Sequence, residues 1–156
     1  MLRIIALLVS HGAMLGIGFA LGVYLLPILT APQAPDQATL RSAAQSAEFA
    51  AEFTRNLKGS DFLHWGEGTV SVSNERIVHE GRLAPGPDYK LYLVEDFVED
   101  EAQFEKLRDR SVRIGDVKSF DGFILDVPNG IRIEGYTTVV IWCEAFGEFI
   151  TAAKYR

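Results

Sequence analysis

Cysteine occurs once in this chain of 156 residues, at Cys143. A single cysteine excludes an internal disulfide and the paired cysteines of a C-x-x-C-H haem attachment. A structural zinc site needs more nitrogen and sulfur ligands than the chain offers. Basic charge is also scarce: 15 Lys and Arg stand against 21 Asp and Glu, a formal net charge of -6. No basic face for phosphate is visible, which argues against a nucleic-acid partner. The signatures of enzymes are missing too. "GEG" at Gly66 to Gly68 leads into a strand rather than from a strand into a helix, so it is no dinucleotide or phosphate loop. There is no serine elbow, no metalloprotease helix and no acid–base or nucleophile constellation that would make the chain an enzyme on its own.

Formal charge is absent altogether from Ile4 to Thr30, "IIALLVSHGAMLGIGFALGVYLLPILT". About 20 apolar residues suffice to cross the hydrocarbon layer, so residues 4–30 are expected to meet membrane lipid as a span. Arg3 and the α-amino group precede it, which favours a cytoplasmic N-terminus and an extracytoplasmic remainder, periplasmic in a bacterium. Sites for signal peptidase are poor, since Pro32 and Pro35 follow the small residues Ala31 and Ala34. The stretch also exceeds the 7 to 15 apolar residues of a signal core. An uncleaved signal-anchor is the reading; a cleaved signal is the alternative. Gly12 and Gly16, and Gly18 and Gly22, are four apart, a spacing that lets two helices approach as a homodimer, although glycine is common in membrane helices in any case. His11 lies near the cytoplasmic end and reads as neutral or interfacial.

Residues 1–30 are therefore the anchor, 31–59 a linker and stalk helix, and 60–156 a folded domain. "APQAPDQ" is a proline-punctuated linker. "ATLRSAAQSAEFAAEFTRNLKG" is helix-forming, with Asp36 as candidate N-cap and Gly59 as candidate stop. It reads as a stalk helix or as a helix packed on the domain. Beyond Gly59 come about seven short β-rich runs, including a hairpin centred on Asn74 and Glu75 and a strand from Tyr89 to Val94. Such spacing predicts a mainly β chain, an antiparallel β-sandwich or barrel. Val98 to Arg110 interrupts it as a helix, acidic early (Glu99, Asp100, Glu101) and basic late, in the order that complements the helix dipole. Phe104 and Leu107 would pin it to the sandwich. The acidic cluster lacks the alternating ligand loop of a calcium site and reads as a solvated helix start.

In "TTVVIWCE" side chains alternate, so Val139, Ile141 and Cys143 share one face and Val140 and Trp142 the other. With both faces apolar, the strand is expected to be covered on both sides. Free cysteine is a small hydrophobe, so Cys143 reads most simply as core. Beyond the membrane, however, an unpaired thiol must be hidden, joined to another chain or given a task. Trp142 and Phe146 are the candidate walls of an apolar pocket for a planar cofactor. His64 and His79 are weaker candidates as ligands to a metal or haem, against ordinary surface or core roles. A thiolate would need positive charge or a metal nearby, and the sequence neighbour Glu144 opposes it.

From His64 onward the chain resembles the DM-thirteen domain family of Skeletor-like and bacterial proteins, a class of electron-transfer domain. "GEGTVSV" and "RIVHEGRLAPGPDYKLYL" are similar to its opening hairpin and "GPD" strand entry. "VRIGDVKSFDGFILDVPNGI" resembles its middle, and "GYTTVVIWCEAFGEFITAAKY" its closing pair of strands. Phe123 stands where a tyrosine is usual, and the acidic helix around Phe104 looks like an insertion. The resemblance implies a β-sandwich in which Cys143 is the characteristic cysteine, a free redox thiol or a ligand to haem or another prosthetic group. The expectation is thus a membrane-anchored extracytoplasmic redox accessory domain, with Cys143 as its active group and a redox protein as its partner. Its rival is a non-catalytic binding or adhesion module with a structural cysteine.

Overall fold

Nothing between Leu2 and Thr30 stops a helix, and one helix, α1 (Leu2–Thr30), runs through Pro27 to the end of the apolar run in the computed structural model, which describes residues 1–156. No residue of α1 is buried, and its length and composition suit a membrane anchor and a signal sequence alike. His11 donates from Nδ1 to the Leu7 carbonyl oxygen at 2.8 Å, so that ring nitrogen is met by the helix itself.

Asp36 caps the next helix, α2 (Gln37–Ala44), by accepting from the Thr39 N–H at 2.8 Å. The expected continuation of this helix to Gly59 is not found. Residues Phe49–Phe53 form a strand, β1, paired along its whole length with the strand β2 (Gly66–Val72). Alanine and glutamate in "FAAEF" favour helix locally, but Phe49, Ala51 and Phe53 recur with a period of two and turn together onto the core. Burial of that row and five paired positions outweigh helix propensities worth a few tenths of a kcal/mol each. The helix α2 instead packs on the sandwich, with Leu40 and Ala43 against Val78.

Strands β3 (Arg76–Leu83), β4 (Tyr89–Val94), β5 (Val112–Val117), β6 (Phe123–Asp126), β7 (Thr138–Cys143) and β8 (Glu148–Lys154) complete two four-stranded antiparallel sheets, one more strand than the seven expected. One sheet runs β1-β2-β3-β6, the other β5-β4-β7-β8. The turn at Asn74–Glu75 joins β2 to β3 as expected, with Val72 opposite Ile77. Helix α3 (Glu101–Leu107), extended by a single 3-10 turn over Arg108–Arg110, sits between β4 and β5.

Alternation along β7 divides its side chains as expected. Val139, Ile141 and Cys143 enter the core between the sheets, while Val140 and Trp142 join a second cluster on the outer face. There α3 covers them: Phe104 packs against Trp142 at 4.9 Å and against Tyr92 at 5.3 Å between ring centroids. Asp100 caps α3 by accepting from the Gln103 N–H at 2.9 Å and pairs with Lys58. Within the acidic start of this helix, Asp100 is thus engaged in both capping and ion pairing, and no group of three or more His, Cys, Asp or Glu stands ready for a metal ion.

His79 lies inside the core, edge-on to Phe53 (5.2 Å between ring centroids) and tilted against Phe123 (5.1 Å). Its Nε2–H donates to the Glu67 carbonyl oxygen at 3.0 Å, leaving Nδ1 without a partner. The close passage of β2 and β3 here requires glycine at position 81: a Cβ would come 2.0 Å from the Glu67 oxygen and 2.7 Å from His79 Nε2. Burial lowers the His79 pKa from 6.5 to about 4.

Two outcomes follow for the chain in mild detergent. Phe104→Ala removes the cover of Trp142 and is expected to cost about 3–5 kcal/mol in urea unfolding. The second concerns acid. Above about pH 6.5 His79 is neutral in both folded and unfolded chains. Between there and about pH 4 only the unfolded chain takes up the proton, so stability falls with pH, by about 3 kcal/mol in all. His79→Phe should flatten that part of the profile; an unchanged slope would show that His79 does not cause it.

Candidate functional site

Antiparallel pairing of β4 with β7 sets Tyr89 opposite Cys143 at the end of the sandwich reached by α1. Cys143 is 2 % exposed and lines an apolar cavity of about 580 Å³, together with Tyr89, His64, Phe146 and Ile150. The opposite wall is α1, through Phe19, Val23 and Tyr24. That volume lies within the usual span of small-molecule and cofactor sites, and so does the combination of apolar walls with a few polar groups.

Each polar group is held by local structure. The Tyr89 ring lies over the backbone of Gly86, where a Cβ would come within 2.4 Å of its hydroxyl oxygen, so the glycine of the "GPD" turn makes room for it. Burial raises the Tyr89 pKa strongly, and the neighbouring Cys143 raises it further, so the phenol keeps its proton. His64 is positioned by Asp61, whose Oδ1 accepts from the N–H groups of Leu63 and His64, both at 2.7 Å. Asp61 Oδ2 stands 3.1 Å from His64 Nδ1. With the proton on Nδ1 donated to that carboxylate, Nε2 is the ring nitrogen left with a lone pair, the tautomer control found behind metal-ligating histidines. Partial burial acts to raise the Asp61 carboxyl, but the hydrogen bonds from Leu63 and His64 outweigh it and hold the pKa below the usual value.

Burial pushes the Cys143 thiol up; the backbone N–H groups of Phe146, Asp88 and Ala145 act the other way without cancelling it. Asp88 is the carboxylate that adds to the rise. Glu144, the neighbour in sequence, points to the outer face and is bound there by Arg108 and Tyr92. It does not oppose a thiolate as expected, because alternation along the strand separates the two side chains.

Of the residues singled out from sequence, the fold brings Cys143, Phe146 and His64 to one cavity and sends two elsewhere. Trp142 is fully buried on the far face of the sheet under Phe104, with the Arg108 guanidinium 5.8 Å from its ring centroid. It cannot wall the Cys143 cavity, since adjacent residues of a strand project to opposite faces. His79 is enclosed in the core and does not line the cavity. Tyr89, Asp61 and the α1 wall were not foreseen. The Asp61–His64 spacing is a local signal that was available; the Tyr89–Cys143 pairing depends on strand order.

A buried thiol with a raised pKa reacts slowly, because the thiolate is the nucleophile. Iodoacetamide should modify Cys143 roughly tenfold or more slowly than free cysteine near neutral pH, with a rate still climbing above about pH 9. A plateau below about pH 8 would instead reveal a stabilised thiolate.

The site can now be set beside known proteins. No curated protein and no solved structure matches this chain. The sequence pattern of the family described as Electron transfer DM13 matches residues 53–155, more than half of the chain, beginning at the last residue of β1 and ending just after β8. With Cys143, Tyr89 and His64 all inside the matched region, the chain belongs to the Electron transfer DM13 family.

Proposed function

We propose that this chain is a membrane-anchored electron-transfer domain, held by α1 on the extracytoplasmic side, in which Cys143 carries the chemistry as a redox thiol or as a ligand to a prosthetic group. One observation carries this reading: the single thiol of the chain and a histidine held by Asp61 border the same apolar cavity. The uncharged run after Arg3 supports the orientation. The bare glycines at positions 12, 16, 18 and 22, with nothing within 4 Å of their missing Cβ atoms, leave α1 open to a second copy. A redox protein is the partner that an accessory domain of this kind requires.

The donor set fits haem. Cys143 and His64 would hold the group, and Tyr89, Phe146 and Ile150 would exclude water from its faces. A bound haem would supply a one-electron couple whose potential depends on axial ligand, burial and hydrogen bonds to sulfur. The raised pKa of the free thiol does not prevent ligation, because a coordinating metal removes the proton. Asp61 would hold His64 in place at the cavity. Tyr89, a protonated phenol beside the sulfur, is the donor available to it.

The second reading, a binding module with a structural cysteine, is favoured by the 2 % exposure of Cys143. The two separate in a visible spectrum of the full chain purified with haem present, before and after dithionite. The first reading expects a Soret band that shifts on reduction, is lost in Cys143→Ala and is altered in Asp61→Asn. If a folded protein gives no such band and shows no thiol-dependent redox reaction, with Cys143→Ala changing only stability by about 1–2 kcal/mol, the structural reading stands.

A further inference from the structure

At the α1 end of the sandwich three large apolar side chains face outward: Phe62 is 85 % exposed, Phe146 55 % and Leu63 40 %. They come from separate parts of the chain, the loop after β1 and the turn between β7 and β8. Isolated apolar residues on a surface need no account, but Leu63 and Phe146 meet at one place, and Phe62 is the chain neighbour of Leu63. Leu63 and Phe146 line the Cys143 cavity together with Phe19 and Val23 of α1. Phe146 also borders a second cavity, of about 430 Å³, with Phe19, Val23 and Leu26.

The position of that meeting point along α1 is informative. Counted from Ile4, the first residue after the charge of Arg3, about 20 residues at 1.5 Å each cover the roughly 30 Å of hydrocarbon and end near Val23. Phe19 to Val23 then form the outermost turn inside the apolar layer, and Leu26 to Thr30 lie among the headgroups. Leu63 and Phe146, which share cavities with Phe19 and Val23, lie beside that turn, at the boundary between the apolar layer and the headgroups. Trp65, two residues from Leu63, is an aromatic suited to the headgroup level, and the Arg55 guanidinium 3.3 Å above its ring is paired with Glu67. The nearby carboxylate of Asp61 is occupied by the N–H groups of Leu63 and His64 and by the His64 ring.

We infer that Phe62, Leu63 and Phe146 form a lipid-docking surface that seats the mouth of the Cys143 cavity on the outer boundary of the same bilayer that α1 crosses. The inference rests on α1 being an inserted anchor. The partner is the bilayer interface, and the cavity faces molecules dissolved in lipid more directly than those in water.

The test uses the full chain at one copy per phosphatidylcholine nanodisc, with an environment-sensitive fluorophore on Phe62→Cys, Phe146→Cys, Leu15→Cys or Glu105→Cys, the last on exposed α3. The unmutated chain controls for labelling of Cys143. With nitroxide-bearing lipids, labels at 15, 62 and 146 should be quenched several-fold more than the label at 105. Nitroxides near the headgroup should be the stronger quenchers at 62 and 146, and deeper ones at 15. Quenching at 15 with labels at 62 and 146 no more quenched than at 105 would overturn the docking surface and leave the anchor standing. Absence of quenching at 15 would overturn the anchor. Labels at 62 and 146 that become protected only when two copies share a disc, without lipid quenching, would assign the face to a second copy and also overturn the inference.

Discussion

Burial of β7 on both of its faces is the constraint on which the rest of the molecule depends. Its position beside β4 and β8 puts one row of side chains between the sheets. The other row would meet water if α3 did not lie across it. A strand sandwiched in this way is apolar along most of its length, which accounts for "VVIWC" and for the cost of removing Phe104, the residue that closes the outer side. The same period of two assigns neighbouring residues to different environments. Cys143 and Trp142 are adjacent in sequence and separated by the thickness of a sheet.

The polar chemistry of the cavity arises from departures from that apolar rule at the end of the strand. Cys143 is the last residue of β7, where the inner row runs out into the space between sandwich and anchor. Tyr89 reaches it from β4 because antiparallel register sets the two opposite each other. His64 reaches it from a loop whose conformation Asp61 stabilises through three contacts. The walls of this cavity are mainly apolar, while a thiol, an imidazole and a phenol border it as the groups able to coordinate or to donate. Burial raises the pKa of the thiol above its ordinary value, and the carboxylate of Asp88 adds to the rise.

His79 illustrates how a residue type of catalytic repute can serve packing. Between Phe53 and Phe123 it contributes one hydrogen bond and a bare nitrogen, and its lowered pKa follows from burial. Glycine at 81 lets the two backbones close around it. Burial disfavours the charged form there, so the core loses stability in acid although His79 lies outside the cavity.

Much of this was determined by the sequence alone. The uncharged run of residues 4–30, the alternation in β2 and β7, the strand from Tyr89 to Val94, the turn at Asn74 and Glu75, the Asp36 cap and the helical segment around Phe104 are local patterns, and local physics reads them correctly. Family membership was legible for the same reason, since its motifs are short and contiguous. What only the tertiary structure decided concerns pairing. "FAAEF" became a strand because β2 offered it an edge and the core accepted its aromatic row. Trp142 was excluded from the cavity by the side of the sheet it faces, and Glu144 was neutralised by Arg108 from a helix 36 positions away. Tyr89 and the α1 wall joined Cys143 through strand order and anchor placement. Those contacts are non-local, and a sequence read by composition and period carries no record of which edge meets which.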